Sequence, residues 1–360
     1  MSALNRFERL FELLPDDIDC ALITSDVNRR YFTGMKSSDG TVLAFRDKAY
    51  LIIDFRYIEK ARESVSSAEV IEQKKLFPQI LELLKKHSAH IMAIESQTMT
   101  VAELEKLTDF LMFENVDVNQ SHILSTAISN MRMVKDCEEI EYIKKAQQIA
   151  EEAYSEILKF IKAGVSEREI ALELNRQMLI RGAEDISFET IVLSGANTSM
   201  PHGVPSDKLV ENGDFVLMDF GAVYNGYHSD MTRTVCVGEP SDEMKKVYDT
   251  VLQAQLACLE AAHAGMTGAE LDKIARDIIS EAGYGENFGH SLGHGTGLEI
   301  HELPNASPNY SHTLRKNSVV TVEPGIYLAG KFGVRIEDFV ILTENDCVNL
   351  TKCAKNIISL

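Results

Sequence analysis

The chain has 360 residues, 45% of them hydrophobic and 25% charged, enough to bury sizeable cores in two or three domains without disulfides or metals. Its net charge of −19, from 36 Lys+Arg against 55 Asp+Glu, repels phosphate backbones and anionic lipid, so neither nucleic acid nor a membrane surface is an expected partner. Six scattered cysteines with no CxxC, an opening stretch unlike a signal peptide and no apolar run of about 18 residues point to the cytoplasm.

In chain order, MSALNRFERLFELLPDD reads as an amphipathic helix. CALITS (20–25), TVLAF (41–45), AYLIID (49–54) and HIMAIES (90–96) are short apolar runs rich in β-branched residues, while LFPQILELLKK and VAELEKLTDFLM have helical spacing. This alternation predicts a small α/β domain over residues 1–125, with no catalytic constellation inside it. STAISNMRMVKD (125–136) marks the boundary to a second domain, 126–360. A charged helix is expected next over 138–164, with Ile140, Ile143, Ala146, Ala150, Ala153, Ile157 and Phe160 on one apolar face.

Beyond that helix the chain repeats itself. AGVSEREIALELNRQMLIRGA (163–183) matches AGMTGAELDKIARDIISEAGY (264–284), each with Ala-Gly ending one helix and a capping box opening the next: Ser166 with Glu169, Thr267 with Glu270. GDFVLMDFGAVYNGYHSDMTRTVCV (213–237) then matches NSVVTVEPGIYLAGKFGVRIEDFVIL (317–342). The boxes lie 101 residues apart, Asp219 and Glu323 lie 104 apart, and Asp230 and Glu337 lie 107 apart. Offsets so close argue for two related halves facing each other across a shared core.

Each half contributes a hairpin with one acid per strand. Strand parity puts Asp219 on the face of Phe215 and Leu217, Glu323 with Val319 and Thr321, Glu337 with Arg335, and Asp230 with Thr232. Any one such acid is ordinarily a strand-end carboxylate facing water; four in matching positions of a repeat are not so easily dismissed. If the hairpins meet, four carboxylates share one small buried volume, which destabilises the fold unless protons or cations neutralise them. Two divalent cations balance the −4 of Asp219, Asp230, Glu323 and Glu337, and His294 adds a neutral nitrogen ligand. Such a pair lowers the pKa of a bridging water and polarises a carbonyl, the equipment of metal-assisted amide hydrolysis.

The stretch GHSLGHGTGLEIHE (289–302) carries three histidines and four glycines, the glycines letting a loop pass beside the hairpins. His202, in SGANTSMPHG, and His301 lie 36 and 34 residues after the two capping hydroxyls, placed to flank the pocket and stabilise an oxyanion or shuttle a proton. His290 lines the substrate side.

Taken together, DFG…SDMTRT, GHSLGHGTGLEIHE, VEPGIY and VRIED resemble the catalytic domain of metallopeptidase family M24, the family of aminopeptidase P, prolidase and methionine aminopeptidase. The resemblance covers about residues 130 to 360, and CALITSDVNRRYFTG resembles, more weakly, the creatinase/prolidase N-terminal domain. It implies an α+β fold: a pita-bread catalytic domain with pseudo-twofold halves, preceded by the smaller α/β domain. It further implies that Asp219, Asp230 and Glu337 hold one metal and that Asp230, His294, Glu323 and Glu337 hold the other. Glu323 would also take a proton from the attacking water, His202 and His301 would be catalytic, and His290 and Arg335 would bind substrate or orient acidic groups.

A large N-terminal domain and these histidines favour, within the family, cleavage of the bond between an N-terminal residue and a following proline in short peptides. Dipeptidase and aminopeptidase P remain alternatives. Oxygen-rich ligation suits Mn²⁺ and tolerates Co²⁺, Fe²⁺ or Zn²⁺, and the family suggests a homodimer. A creatinase-like hydrolase or a peptide-binding module of the same fold are the rival readings; five intact ligand positions argue against both.

Overall fold

The computed structural model describes residues 3–360 and divides into two compact units, one ending at Met131 and the other running from Arg132 to Leu360. In the first, α1 (Ala3–Leu13) leads to β1 (Cys20–Ile23), α2 (Asp26–Thr33), β2 (Thr41–Phe45), β3 (Ala49–Ile53), α3 (Ile58–Ser64), β4 (Glu69–Glu72), α4 (Leu76–Lys86), β5 (Ile91–Ile94), α5 (Val101–Leu111) and β6 (Asp117–Asn119). The opening stretch is helical from Ala3, with Phe7, Leu10, Phe11 and Leu14 buried at helical spacing; residues 1 and 2 lie outside the described residues. The strands form one sheet ordered β4-β3-β2-β1-β5-β6, with β1 antiparallel to β2 and parallel to β5. β1, β2 and β3 are buried at every residue, so they read as continuous apolar runs. β4 and β6 are short polar edge strands with little apolar signal. No described helix is long and apolar enough to cross a membrane.

The boundary segment is mostly helix: α6 (Ile123–Met133) contains the division between the units. In the second unit, the first half comprises α7 (Cys137–Ile157), α8 (Glu167–Ile180), β7 (Asp185–Ile186), β8 (Ile191–Ser194), β9 (Phe215–Phe220), β10 (Ala222–Tyr224), β11 (Tyr227–His228) and β12 (Met231–Cys236). The other half comprises α9 (Asp242–Ala261), α10 (Gly268–Glu281), β13 (Gly293–Gly295), β14 (Glu302–Ala306), β15 (Val319–Val322), β16 (Gly325–Leu328), β17 (Phe332–Arg335), β18 (Asp338–Leu342) and β19 (Cys347–Asn349). In each half a helix pair packs on a sheet. Ile149, Ala153 and Ile157 of α7 and Leu174 of α8 meet Val216, Met218 and Phe220 of β9. Val247 and Val251 of α9 and Leu271 of α10 meet Val320 and Val322 of β15 and Val340 of β18. Each fully buried aliphatic side chain contributes roughly 1.5–3 kcal/mol.

Both capping boxes form. Ser166 Oγ accepts from Glu169 N at 3.2 Å and Ser166 N donates to Glu169 Oε2 at 2.8 Å; Thr267 and Glu270 do the same at 3.1 and 2.7 Å. The preceding Ala-Gly pairs, however, do not end helices. α7 stops at Ile157, a turn follows, and Phe160 at the far end of the expected apolar face is 37% exposed. Ile140 is only half-buried. Gly164 (φ +90°) and Gly265 (φ +103°) instead use left-handed backbone to send their N–H groups to Val210 O and Leu314 O, steering the chain into the next cap.

The expected hairpins are each a nested pair. β9 and β12 are antiparallel with Asp219 opposite Thr232, and the small β10–β11 hairpin lies between them; β15 and β18 enclose β16–β17 in the same way. The halves join along β12. Glu337 N donates to Thr232 O at 3.1 Å, Thr234 Oγ1 donates to Arg335 O at 3.0 Å, and the Arg233 guanidinium reaches Glu337 O at 2.6 Å and Asp338 Oδ1 at 2.8 Å. This seam brings the acids of one half beside those of the other.

Candidate active site

At the seam lies a cavity of about 340 Å³ lined by Asp219, Asp230, Glu323, Glu337, Arg335 and all four histidines singled out above, His202, His290, His294 and His301. Phe188, Ile191, Pro201 and Ile300 supply its apolar wall. Asp219 sits near the end of β9, Asp230 just before β12, Glu323 just after β15, Arg335 at the end of β17 and Glu337 just before β18. His294 is central in β13, beside a register shift that re-aims the strand. Two glycines of its stretch are there for close approach: a Cβ on Gly293 would lie 2.0 Å from Thr321 O, and one on Gly297 would lie 2.8 Å from both carboxylate oxygens of Glu302.

Among the described residues, the four carboxylates have only one counter-charge, Arg335. One ligand atom each from Asp230, His294 and Glu337 lie within 4.8 Å of one another. Arg335 engages Asp219 Oδ2 at 2.5 Å, Thr232 Oγ1 donates to Glu337 Oε2 at 2.8 Å, and Thr321 Oγ1 donates to Glu323 Oε1 at 3.2 Å. Beyond these, Asp219 Oδ1, Asp230 Oδ1 and Glu337 Oε1 are buried without any hydrogen-bond partner. Burial, then the neighbouring acids, hold Asp230 and Glu337 well above the usual carboxylate range, and burial raises Glu323 as well.

His294 is oriented as a ligand would be. Its Nδ1–H donates to Gly295 O at 3.1 Å, which leaves the Nε2 lone pair 3.5 Å from both Asp230 Oδ2 and Glu323 Oε1. Burial, then His301, lowers its pKa to about 4, so near neutral pH it brings no positive charge to these acids. A lone pair facing two carboxylates, with three orphaned oxygens nearby, is a donor set that fits divalent cations.

His290 is also held neutral, its pKa lowered to about 4 by burial and by Arg335. Its Nδ1–H donates to Ser291 O at 2.7 Å, so Nε2 accepts from the Tyr327 hydroxyl at 2.9 Å, and that hydroxyl accepts from Arg335 Nη1 at 2.8 Å. Tyr327 thus ties His290 to Arg335, a part absent from the sequence reading: the repeat shows a tyrosine, but nothing local pairs it with a histidine 37 residues away. Thr232 and Thr321 share faces with the acids by parity, yet only the fold shows Thr232 donating across the seam to Glu337 and Thr321 donating to Glu323 two residues on.

A cavity floored by clustered acids and one imidazole, built at the seam of two like halves, defines a metal-dependent hydrolase. The chain belongs to metallopeptidase family M24, which matches residues 141–344, and residues 6–134 match the creatinase/prolidase N-terminal domain. It is 41% identical to the Xaa-Pro dipeptidase of Pyrococcus furiosus, over 98% of this chain and 99% of that relative. Among solved structures, the Xaa-Pro dipeptidase from Bacillus anthracis aligns at TM-score 0.95 with 40% identity over the whole of both chains. The X-Pro aminopeptidase from Thermotoga maritima aligns at 0.92, also with 40% identity, over 98% of this chain and 100% of that one. The protein is therefore a peptidase that works with divalent metal ions, on the α+β pita-bread fold that its motifs imply.

Proposed function

We propose that this metallopeptidase hydrolyses the bond between an N-terminal residue and a following proline in short peptides. We also propose that two divalent ions serve it, one held by Asp219, Asp230 and Glu337, the other by Asp230, His294, Glu323 and Glu337. The observation that carries the reading is the cluster itself: three buried carboxylate oxygens without donors beside a neutral His294 Nε2. Full-length relatives named Xaa-Pro dipeptidase support the proline preference. Proline lacks the N–H that ordinary peptidases hold and fixes φ, so a dedicated pocket is needed. A cavity of about 340 Å³, at the small end of ligand sites, suits the first residues of a peptide.

When bound, divalent cations supply Lewis acidity: they lower the pKa of water and polarise a carbonyl oxygen. Glu323 accepts the proton released at the attacking water and passes it toward the proline nitrogen. His202 and His301, which both line the cavity, donate to the oxygen that gains charge. Arg335 keeps Asp219 and Tyr327 in place, and His290 faces the substrate in a fixed tautomer.

Mn²⁺ is the proposed ion because oxygen donors outnumber nitrogen in the set. The proposed setting is the cytoplasm, supported by six free cysteines, and the proposed assembly is the homodimer that the family resemblance implies. Sedimentation that returns only a monomer removes the last point. The test of function is turnover of Ala-Pro and Ala-Pro-Ala by wild type and Glu323→Gln. Wild type should cleave at proline, with kcat falling on the order of 10²–10⁴-fold in the variant. Cleavage of Ala-Pro alone makes it a dipeptidase, and release of alanine from the tripeptide makes it an aminopeptidase P. Retained activity in Glu323→Gln, or none in wild type loaded with Mn²⁺, would sink the reading.

A further inference from the structure

Behind the cavity, the two basic residues of the MRMVKD segment meet the acid that closes GHSLGHGTGLEIHE. Arg132 Nη2 donates to Glu302 Oε1 at 2.6 Å, and Lys135 Nζ lies 3.1 Å from Glu302 Oε2. All three side chains are nearly buried, at 8%, 1% and 5% exposure. Lys135 also donates to Arg132 O at 2.6 Å, and its backbone N–H donates to Asn317 O at 2.9 Å, fastening the segment to the turn before β15. The same Glu302 Oε1 accepts from Glu299 N at 2.9 Å, and a Cβ on Gly297 would lie 2.8 Å from both carboxylate oxygens, so a side chain there would push the carboxylate aside. Thr296 Oγ1 donates to Ile300 O at 3.0 Å, and His228 N donates to Gly297 O at 2.8 Å. Residues 296–302 are thereby wrapped around one carboxylate.

His301 is the residue immediately before it. It sits in the bend that leads into β14, so Glu302 and His301 share one short stretch of backbone, and His301 lines the cavity. There the His301 ring stands edge-on to His294 with centroids 4.4 Å apart. We propose that Glu302, clamped by Arg132 and Lys135, is a positioning residue that holds the 296–302 loop so that His301 faces the scissile bond. The proposal rests on the function above through His301. Displacing a catalytic group by about 1 Å costs up to about 10²-fold in rate, which sets the expected size.

The test is a double-mutant cycle on Ala-Pro with wild type, Glu302→Gln, His301→Ala and the double variant, with bound Mn²⁺ measured in each. Glu302→Gln should lower kcat at least about tenfold, with KM and metal content little changed, and should cost less than about twofold once His301 is alanine. Equal losses in both backgrounds, or wild-type kcat in Glu302→Gln, overturn the proposal. If Glu302→Gln does not fold, Arg132→Met and Arg132→Lys run the same cycle: the methionine should be deficient only when His301 is present, and the lysine should restore most of kcat. Hydrogen exchange supplies a readout independent of turnover. Arg132→Met should speed exchange in 296–301 and leave the 195–206 loop unchanged; unchanged exchange in 296–301 overturns the proposal even if wild type cleaves no proline peptide.

Discussion

The floor of the cavity and the layer behind it treat buried carboxylates in opposite ways. Behind the cavity, Glu167 accepts from Ser194 N and Oγ, Asn197 Nδ2, and Ser206 N and Oγ, at 2.6–3.0 Å, and so ties down both ends of the loop that carries His202. Asp272 meets Arg276 and accepts from Leu292 N, while Arg276 Nη2 donates to His290 O. Asp338 meets Arg233 and Lys355, whose charges overcome burial and hold its pKa below the usual range. On the floor, Asp230 and Glu337 are pushed the other way, and three oxygens have no donor at all. Folding itself satisfied the rear acids, whereas the floor was left with more carboxylates than Arg335 balances, to be neutralised by protons or by cations from outside.

That contrast is open to direct attack. The largest effect is expected at Arg233→Met, which leaves Asp338 without its principal partner. Loss of one member of a buried pair should cost roughly 3–5 kcal/mol in urea unfolding, and an unchanged midpoint would erase the distinction between the two layers. Next comes acid. Burial raises the Glu302 carboxyl, but Lys135 and Arg132 outweigh it and lower the pKa from 4.5 to about 2. A carboxylate depressed in the folded state adds stability that is complete above about pH 4.5 and drains away as the pH falls toward 2. The contribution is on the order of 3 kcal/mol, so unfolding free energy should fall steeply over that window in wild type and much less in Glu302→Gln. The smallest effect has the opposite sign: in chelator-treated protein, Glu337→Gln should raise stability by about 0.5–2 kcal/mol because it removes one of the crowded charges, while abolishing activity. Destabilisation by that substitution would mean that the floor acids are satisfied after all.

Much of the architecture was legible because its determinants are local or periodic. The capping boxes at Ser166 and Thr267 form as spaced, and the four apolar runs of the first unit are its central strands and β5. The nine candidate residues line one cavity, the four acids among them because the repeat set their hairpins at corresponding points. Misreadings arose where a local signal serves a non-local purpose: Gly164 and Gly265 look like helix caps, but they answer to carbonyls at Val210 and Leu314, roughly fifty residues away. Glu302 and Arg132 were both in view, one at the end of a histidine-rich stretch and the other in a boundary segment. No spacing rule links residues 170 positions apart.

Sequence alone therefore determined the halves, their caps, their strand faces and the chemical identity of the donors, since these follow from side-chain period and residue type. Tertiary structure decided which carboxylate oxygens meet a donor and which are left bare, which nitrogen of His294 faces the acids, and which cations stand behind Glu302. Those outcomes depend on the seam between β12 and the Arg335–Asp338 segment that joins β17 to β18, where groups distant in the chain are desolvated together and each polar atom's partner is set by packing.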